Sequence, residues 1–211
     1  MIKDISITSS SYIIPNHYGW ENLKDIKLNF ESIGNLSSGF HKTDKNKTLF
    51  CKIFVNDLVN LNENEKILKK KIKIIIKNLL ETIENRLKNT SSPIIIFVSS
   101  FLNQNIFEYI SKNSIIDELH NNLIQDLNKL RNKYNNIYSL DLNKIFQNEG
   151  FDKIYDSRNF YLTSCRLSSR GIEILSECLN KIIQKIYLPS KKVLVLDCDN
   201  TLWGGIIGED G

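Results

Sequence analysis

No run of apolar residues approaches the ~20 that a membrane-spanning helix needs, so no membrane anchor is expected of these 211 residues. The start, Met1-Ile2-Lys3-Asp4, places an acid where a signal peptide turns apolar, and the expectation is a cytoplasmic protein. The four cysteines, Cys51, Cys165, Cys178 and Cys198, show no C-x-x-C spacing. Three of them sit in apolar strand or helix patterns, which argues for reduced thiols and against disulfides or a zinc site. An excess of one charge is missing too. The net charge of +4 is small and dispersed; it does not imply nucleic acid and is compatible with an acidic partner. Histidine, the commonest general base, is scarce: His17, His41 and His120 are the only three. Internal repeats are absent.

What is present alternates short apolar runs with amphipathic segments. Ile5 to Ser9 is a weak first strand, and Leu49 to Val55 a second. Ile94 to Val98 follows the chain break at Pro93 and reads as a buried strand, and Ile137 to Leu142 as a further one. Between them, Leu68, Ile72, Ile75, Leu79, Ile83 and Leu87 recur at helical spacing and predict a helix over 64–88. Ile116, Leu119, Leu123, Leu127, Leu130 and Tyr134 predict another, and Ile172, Leu175, Leu179, Ile182 and Ile186 a last one, ended by Pro189. Residues 29–48, rich in Asn, Ser, Gly and Lys, read as a loop. Lys69, Lys70, Lys71, Lys73 and Lys77 read as the solvated face of their helix. The alternation predicts an α/β fold, a parallel sheet with helices on both faces.

Near the C-terminal end, Val193-Leu194-Val195-Leu196 runs directly into Asp197-Cys198-Asp199-Asn200-Thr201. A strand that delivers a carboxylate at its carboxyl end places it where open α/β sheets bind ligands. Asp197 there can attack phosphorus and form an aspartyl-phosphate. Asp199, two residues on, can serve the leaving group as acid and water as base. The pair also attracts Mg²⁺. Taken alone, the five residues equally fit a buried strand capped by a turn.

The run from Lys192 to Gly211, which continues Leu202-Trp203-Gly204-Gly205-Ile206-Ile207-Gly208-Glu209-Asp210-Gly211, resembles the first motif of the haloacid-dehalogenase (HAD) phosphatase superfamily, and within it the FkbH-like branch, subfamily IIIC. Upstream, Tyr155-Asp156-Ser157-Arg158 through Tyr161-Leu162 resembles the segment that precedes the phosphatase domain in that branch. The resemblance implies Asp197 as nucleophile, Asp199 as acid/base, and both as Mg²⁺ contacts, Asp197 by its carboxylate and Asp199 by its backbone carbonyl. It implies that Cys198, Asn200 and Thr201 belong to the phosphate loop, with Thr201 fixing it. The later motifs of such enzymes, a Ser/Thr, a Lys and further acids, cannot be assigned here. The expectation is a fragment or truncated form of an FkbH-like phosphatase or glyceryl-transfer enzyme. It would act with an acyl carrier protein in secondary-metabolite or polysaccharide biosynthesis, and be inactive without the missing C-terminal segment.

Members of that branch carry an N-terminal domain that resembles the SGNH hydrolase fold, which places residues 1–188 in such a domain and 189–211 in a linker and the first strand and loop of a Rossmann-like HAD domain. Asn56-Asp57 follows a strand, as the oxyanion-hole Asn of SGNH enzymes does, but Phe54 and Val55 stand where those enzymes favour Gly-Thr. A strand-ending turn explains the pair as well. Ser9, Ser10 and Ser11 occupy the nucleophile's place without a Gly-Asp-Ser context. The Asp and His of the D-x-x-H-L-S-x-x-G motif are replaced by Thr163 and Arg166 in Thr163-Ser164-Cys165-Arg166-Leu167-Ser168-Ser169-Arg170-Gly171. Arg166 cannot accept a proton, and no histidine is near in sequence. The domain is therefore expected to have lost that hydrolase chemistry, with Ser168 or Ser169 capping the last helix. Two alternatives remain: a non-catalytic module binding a carrier or substrate, and an SGNH-type esterase.

Overall fold

The computed structural model describes residues 3–23, 25–59, 65–100 and 115–188. The strands are β1 (Lys3–Ser9), β2 (Ile26–Ile33), β3 (Thr48–Phe54), β4 (Ile94–Ser99) and β5 (Ile137–Asp141). They form one parallel sheet in the order β2-β1-β3-β4-β5. The helices are α1 (Leu36–Lys42), α2 (Glu65–Lys88), α3 (Ile115–Lys133), α4 (Asn143–Glu149), α5 (Phe151–Ile154), α6 (Ser157–Thr163) and α7 (Ser169–Tyr187). Short 3₁₀ turns occupy Tyr18–Leu23 and Val55–Leu58.

The central strands β3 and β4 are buried along their whole length, as parallel strands covered on both faces must be. Alternate side chains feed two cores. Leu49, Cys51, Ile53, Ile94, Ile96 and Val98 pack with α1, α2 and α3 on one face. Phe50, Ile95 and Phe97 join Ile5 and Ile7 against α7, α4 and the turn at Tyr18–Leu23 on the other. Each large apolar side chain taken fully out of water contributes ~1.5–3 kcal/mol, so the middle of the sheet carries the domain. On α2, Ile76 rather than the expected Ile75 faces inward, while Lys69, Lys70, Lys71, Lys73 and Lys77 face solvent.

The segment 29–48 departs from expectation. It is not a loop: it holds most of β2 and all of α1. β2 is an edge strand whose half-buried Ile26, Leu28 and Phe30 alternate with polar residues. That pattern was masked by the Asn, Ser and Gly around it. α1 is capped by Asn35, whose side chain accepts the Ser38 amide at 2.9 Å. Its far end is clamped by Arg86 of α2. The Nη1 of Arg86 donates to the Phe40 carbonyl at 2.8 Å and to both oxygens of Thr43, and its Nη2 to the Asp44 carbonyl at 2.9 Å. Gly39 lets α1 lie directly on β1: a Cβ there would meet Thr8 Oγ1 at 2.0 Å.

Three short helices over 143–163 were not foreseen from periodicity, because four to seven residues cannot show it. α7 begins as expected. Ser168 is its N-cap, with Oγ accepting the Gly171 amide at 3.1 Å. No helix among the described residues is long and apolar enough to cross a membrane.

Candidate functional site

The strand order reverses between β1 and β3, and in open α/β sheets the crevice at the carboxyl ends of such strands is where ligands bind. Ser9 ends β1, and Ser10 and Ser11 follow it. Two of the three hydroxyls hold backbone. Ser9 Oγ accepts the Ser11 amide at 3.3 Å, and Ser10 Oγ accepts the Phe54 amide at 2.7 Å. The third faces an amine: Lys52 Nζ lies 3.0 Å from Ser11 Oγ. Lys52 sits inside β3 between Phe50 and Phe54, and its side chain is fully buried. Burial pulls its pKa down to about 8; the charge of Arg166 adds to the fall, while Cys165 and Asp57 oppose it.

At the end of β3, Asn56 and Asp57 lie in the 3₁₀ turn Val55–Leu58, after the buried Phe54 and Val55. Asn56 is half-buried. Asp57 accepts from Arg166 Nη2 at 2.8 Å and Nε at 3.2 Å. The guanidinium is also held between two rings, its Cζ 4.9 Å from the Phe54 centroid and 4.1 Å from that of Phe160. A cation lying over two aromatic rings suits arginine, whose guanidinium is flat and weakly hydrated. So Arg166, expected where a hydrolase motif would carry histidine, is fixed at the crevice by Asp57. Thr163, at the aspartate position, is exposed. It ends α6, where its hydroxyl donates to the Asn159 carbonyl at 2.8 Å and accepts the Cys165 amide at 3.2 Å.

Arg166 also lines a cavity of about 190 Å³ with Tyr155, Asp156, Ser157, Phe160 and Tyr161. The Tyr155-Asp156-Ser157-Arg158 segment has a structural explanation here. Asp156 caps α6 through the amides of Arg158 and Asn159, at 2.9 and 3.1 Å. Tyr155 packs among Phe54, Phe146 and Phe151, and its hydroxyl donates to the Ser100 carbonyl at 3.2 Å. Burial pushes the phenol well above its usual range. Ser100, beyond β4, exchanges two hydrogen bonds with the Asn143 amide group, at 3.0 and 2.7 Å.

The histidines lie elsewhere in chemistry, if not in space. Although remote in sequence, His17 comes within 3.1 Å of Ser169 Oγ, inside the degenerate motif. Its Nδ1 accepts the Gly19 amide at 2.9 Å. In the neutral ring the proton is then on Nε2, which donates to Ser169, so His17 is no base for that hydroxyl. Burial lowers its pKa, against the field of Glu173. His120 is buried on α3 and hydrogen-bonds Asp141 at 3.0 Å. His41 is exposed near the end of α1.

Cys51, Cys165 and Cys178 are free thiols, and burial raises the pKa of Cys51 and Cys178. No group of three His, Cys, Asp or Glu side chains arranged for a metal occurs among the described residues. Asp197, Cys198, Asp199, Asn200 and Thr201, and with them the expected metal and phosphate positions, lie outside the described residues.

No family model matches this chain, and no curated protein gives a significant match. Solved structures do. One is the N-terminal part of a Bacteroides fragilis protein, containing a phosphatase domain and complexed with Mg; it is 18% identical with a TM-score of 0.69. The alignment covers 99% of this chain but only 58% of that one. A Lactobacillus plantarum protein aligns with a TM-score of 0.54 at 9% identity, covering 89% of this chain and 98% of that one. A Streptococcus pneumonia protein named for platelet activating factor gives 0.51 at 16% identity, over 86% and 84%. At these identities the likeness establishes the α/β fold.

Proposed function

We propose that these 211 residues are the N-terminal part of an FkbH-like HAD phosphatase or glyceryl-transfer enzyme that acts with an acyl carrier protein. The observation that carries this is Asp197-Cys198-Asp199-Asn200-Thr201 after the apolar run Val193–Leu196, with the signature-like residues to Gly211. The likeness of the whole chain to 58% of a phosphatase-containing Bacteroides structure supports it. Asp197 is the nucleophile toward phosphorus and Asp199 the acid/base. The donor set fits Mg²⁺, since carboxylate and carbonyl oxygens are hard ligands of the kind that ion takes. When bound, the ion neutralises phosphate charge. Cys198, Asn200 and Thr201 shape the loop whose backbone amides face the phosphate.

In this account residues 1–188 are the SGNH-like domain, and 189–211 enter the phosphatase domain. The N-terminal domain lacks an Asp-His pair at Thr163 and Arg166, and its crevice, with Arg166 fixed between Phe54 and Phe160, serves to bind substrate or carrier. The test is to express the chain together with the coding sequence downstream of Gly211 and incubate it with bisphosphoglycerate, Mg²⁺ and a phosphopantetheinylated acyl carrier protein. Intact mass spectrometry of the carrier should show a gain of a glyceryl group. A carrier left at its starting mass, by a protein shown to be folded, would refute the assignment.

A further inference from the structure

We propose that the outer groove between α2 and α3 docks an acidic amphipathic helix of a partner protein, at a surface separate from the crevice of Arg166 and from the phosphoryl chemistry of Asp197. The groove has a volume of about 410 Å³. Ile76 and Leu80 of α2 form its apolar floor, and Lys73, Lys77 and, from α3, Lys129 stand on its rim. Lys70, Lys73 and Lys77 follow one another at three- and four-residue spacing, so they form a line along α2. Across that line from the groove, by the helical turn, Ile67 and Ile74 are 53% and 58% exposed. They are seven residues apart and share a face. The core does not account for them, because the inward stripe of α2 is filled by Leu68, Ile72, Ile76, Leu79 and Ile83.

The excess charge of the chain collects on the same turns. Residues 65–77 hold six lysines and one acid, a surplus larger than the +4 of the whole chain. Charge complementarity therefore selects an acidic partner. Glu81 and Asp126 also line the groove, but each is matched within the chain: Lys77 Nζ is 3.8 Å from Glu81, and Lys129 Nζ is 2.7 Å from Asp126. Exposed pairs of this kind hold weakly, so the lysines can turn to carboxylates of a partner.

The shape of the face selects a helix among acidic partners. An anionic bilayer is flat. It would press on Glu81, Glu84 and Asp126 as well as on the lysines, and would not reach Ile76 and Leu80 below the rim. A helix seats single apolar side chains in a groove, from positions one and two turns apart, and sets its acids opposite the lysines alone. A small molecule fits less well, because pockets for such ligands are predominantly apolar, whereas all but two of the residues lining this groove carry charged or amide side chains.

The experiment titrates a fluorescein-labelled helical peptide with the 211-residue chain and follows fluorescence anisotropy. The peptide has about four turns, leucines a heptad apart, and glutamates on either side of them. Expected is saturable binding that is lost as salt is raised to about 1 M, where the Debye length falls to ~3 Å. Zero-length carbodiimide cross-links should map to Lys70, Lys73 or Lys77. Lys73→Glu combined with Lys77→Glu should weaken binding ~10-fold or more, and Ile74→Ser ~5-fold or more. All three positions are exposed, so the variants should melt as the parent does. Absence of saturable binding overturns the proposal, as does wild-type affinity in the charge-reversed variant, cross-linking confined to lysines elsewhere, or equal binding of a peptide with glutamine for glutamate. Sedimentation with phosphatidylglycerol vesicles in place of peptide binding also overturns it, and assigns the face to lipid.

Discussion

Arg166 and Asp57, 109 positions apart in the chain, meet at 2.8 Å and join the start of the last helical layer to the end of β3. The pair is partly shielded, with side-chain exposures of 26% and 17%, and Arg166 is stacked by Phe54 and Phe160. An exposed ion pair alone contributes ~0–1 kcal/mol, and a cation–π contact adds ~0.5–1 kcal/mol at such sites. Arg166→Ala should therefore cost about 1–2 kcal/mol in urea unfolding. Arg166→Lys should recover little of it, because the planar contact is lost. Full recovery by lysine would show that charge alone holds the join.

A larger loss is expected at Arg86. It is buried and satisfies the carbonyls of Phe40, Thr43 and Asp44. Arg86→Met leaves those acceptors without their donor, each worth ~1–3 kcal/mol when buried. Urea denaturation should show a loss of about 2–4 kcal/mol, and hydrogen exchange should rise first in α1. Uniform exchange across the domain would contradict the role of Arg86 as a clamp on that helix.

These two arginines show what was legible. The strands with unbroken apolar runs, β3 and β4, and the long helices α2, α3 and α7 were readable because burial on both faces or on one stripe leaves a pattern. β2 was not, since an edge strand needs only half its residues apolar and these were set among Asn and Ser. Nothing in the sequence around Arg86 or Lys52 marks either as buried. Periodicity reports which face a position takes; whether a charged side chain on that face is buried depends on a partner distant in sequence, here Ser11 at a separation of 41 and Thr43 at 43. His17 was dismissed on the same ground, and the fold brings it to Ser169.

Acid sensitivity should trace to Asp141. Burial would raise its carboxyl, but the hydrogen bond and charge of His120, the Asn143 amide and Lys144 together hold it below the usual range. A group with a lowered folded-state pKa adds stability above its unfolded value, about 3.9, and loses it as pH falls through the folded value. Asp141→Asn should thus be less stable than wild type at pH 6, with the gap closing as pH falls below about 4. Melting midpoints over that range decide it; a gap constant with pH would assign the loss to packing.

The boundary at residue 188 can be checked by deletion. α7 closes at Tyr187, and its face toward Ile5 and Ile7 is already covered within 3–188. Removing residues 189–211 should leave the melting midpoint within a few degrees of the parent's and reduce aggregation, because Val193 to Leu196, Trp203, Ile206 and Ile207 are apolar. A large fall in midpoint would place the tail in the core of the domain.

The central claim rests on Asp197, and the most direct measurement is Mg²⁺-dependent release of p-nitrophenol from p-nitrophenyl phosphate. It should be made on the protein extended through its downstream coding sequence, on its Asp197→Asn variant, and on the 211-residue chain. The account predicts turnover by the extended protein that EDTA abolishes, loss of at least ~1,000-fold in Asp197→Asn, and none from the 211 residues alone. Turnover by the extended protein that survives Asp197→Asn would contradict the assignment of the nucleophile.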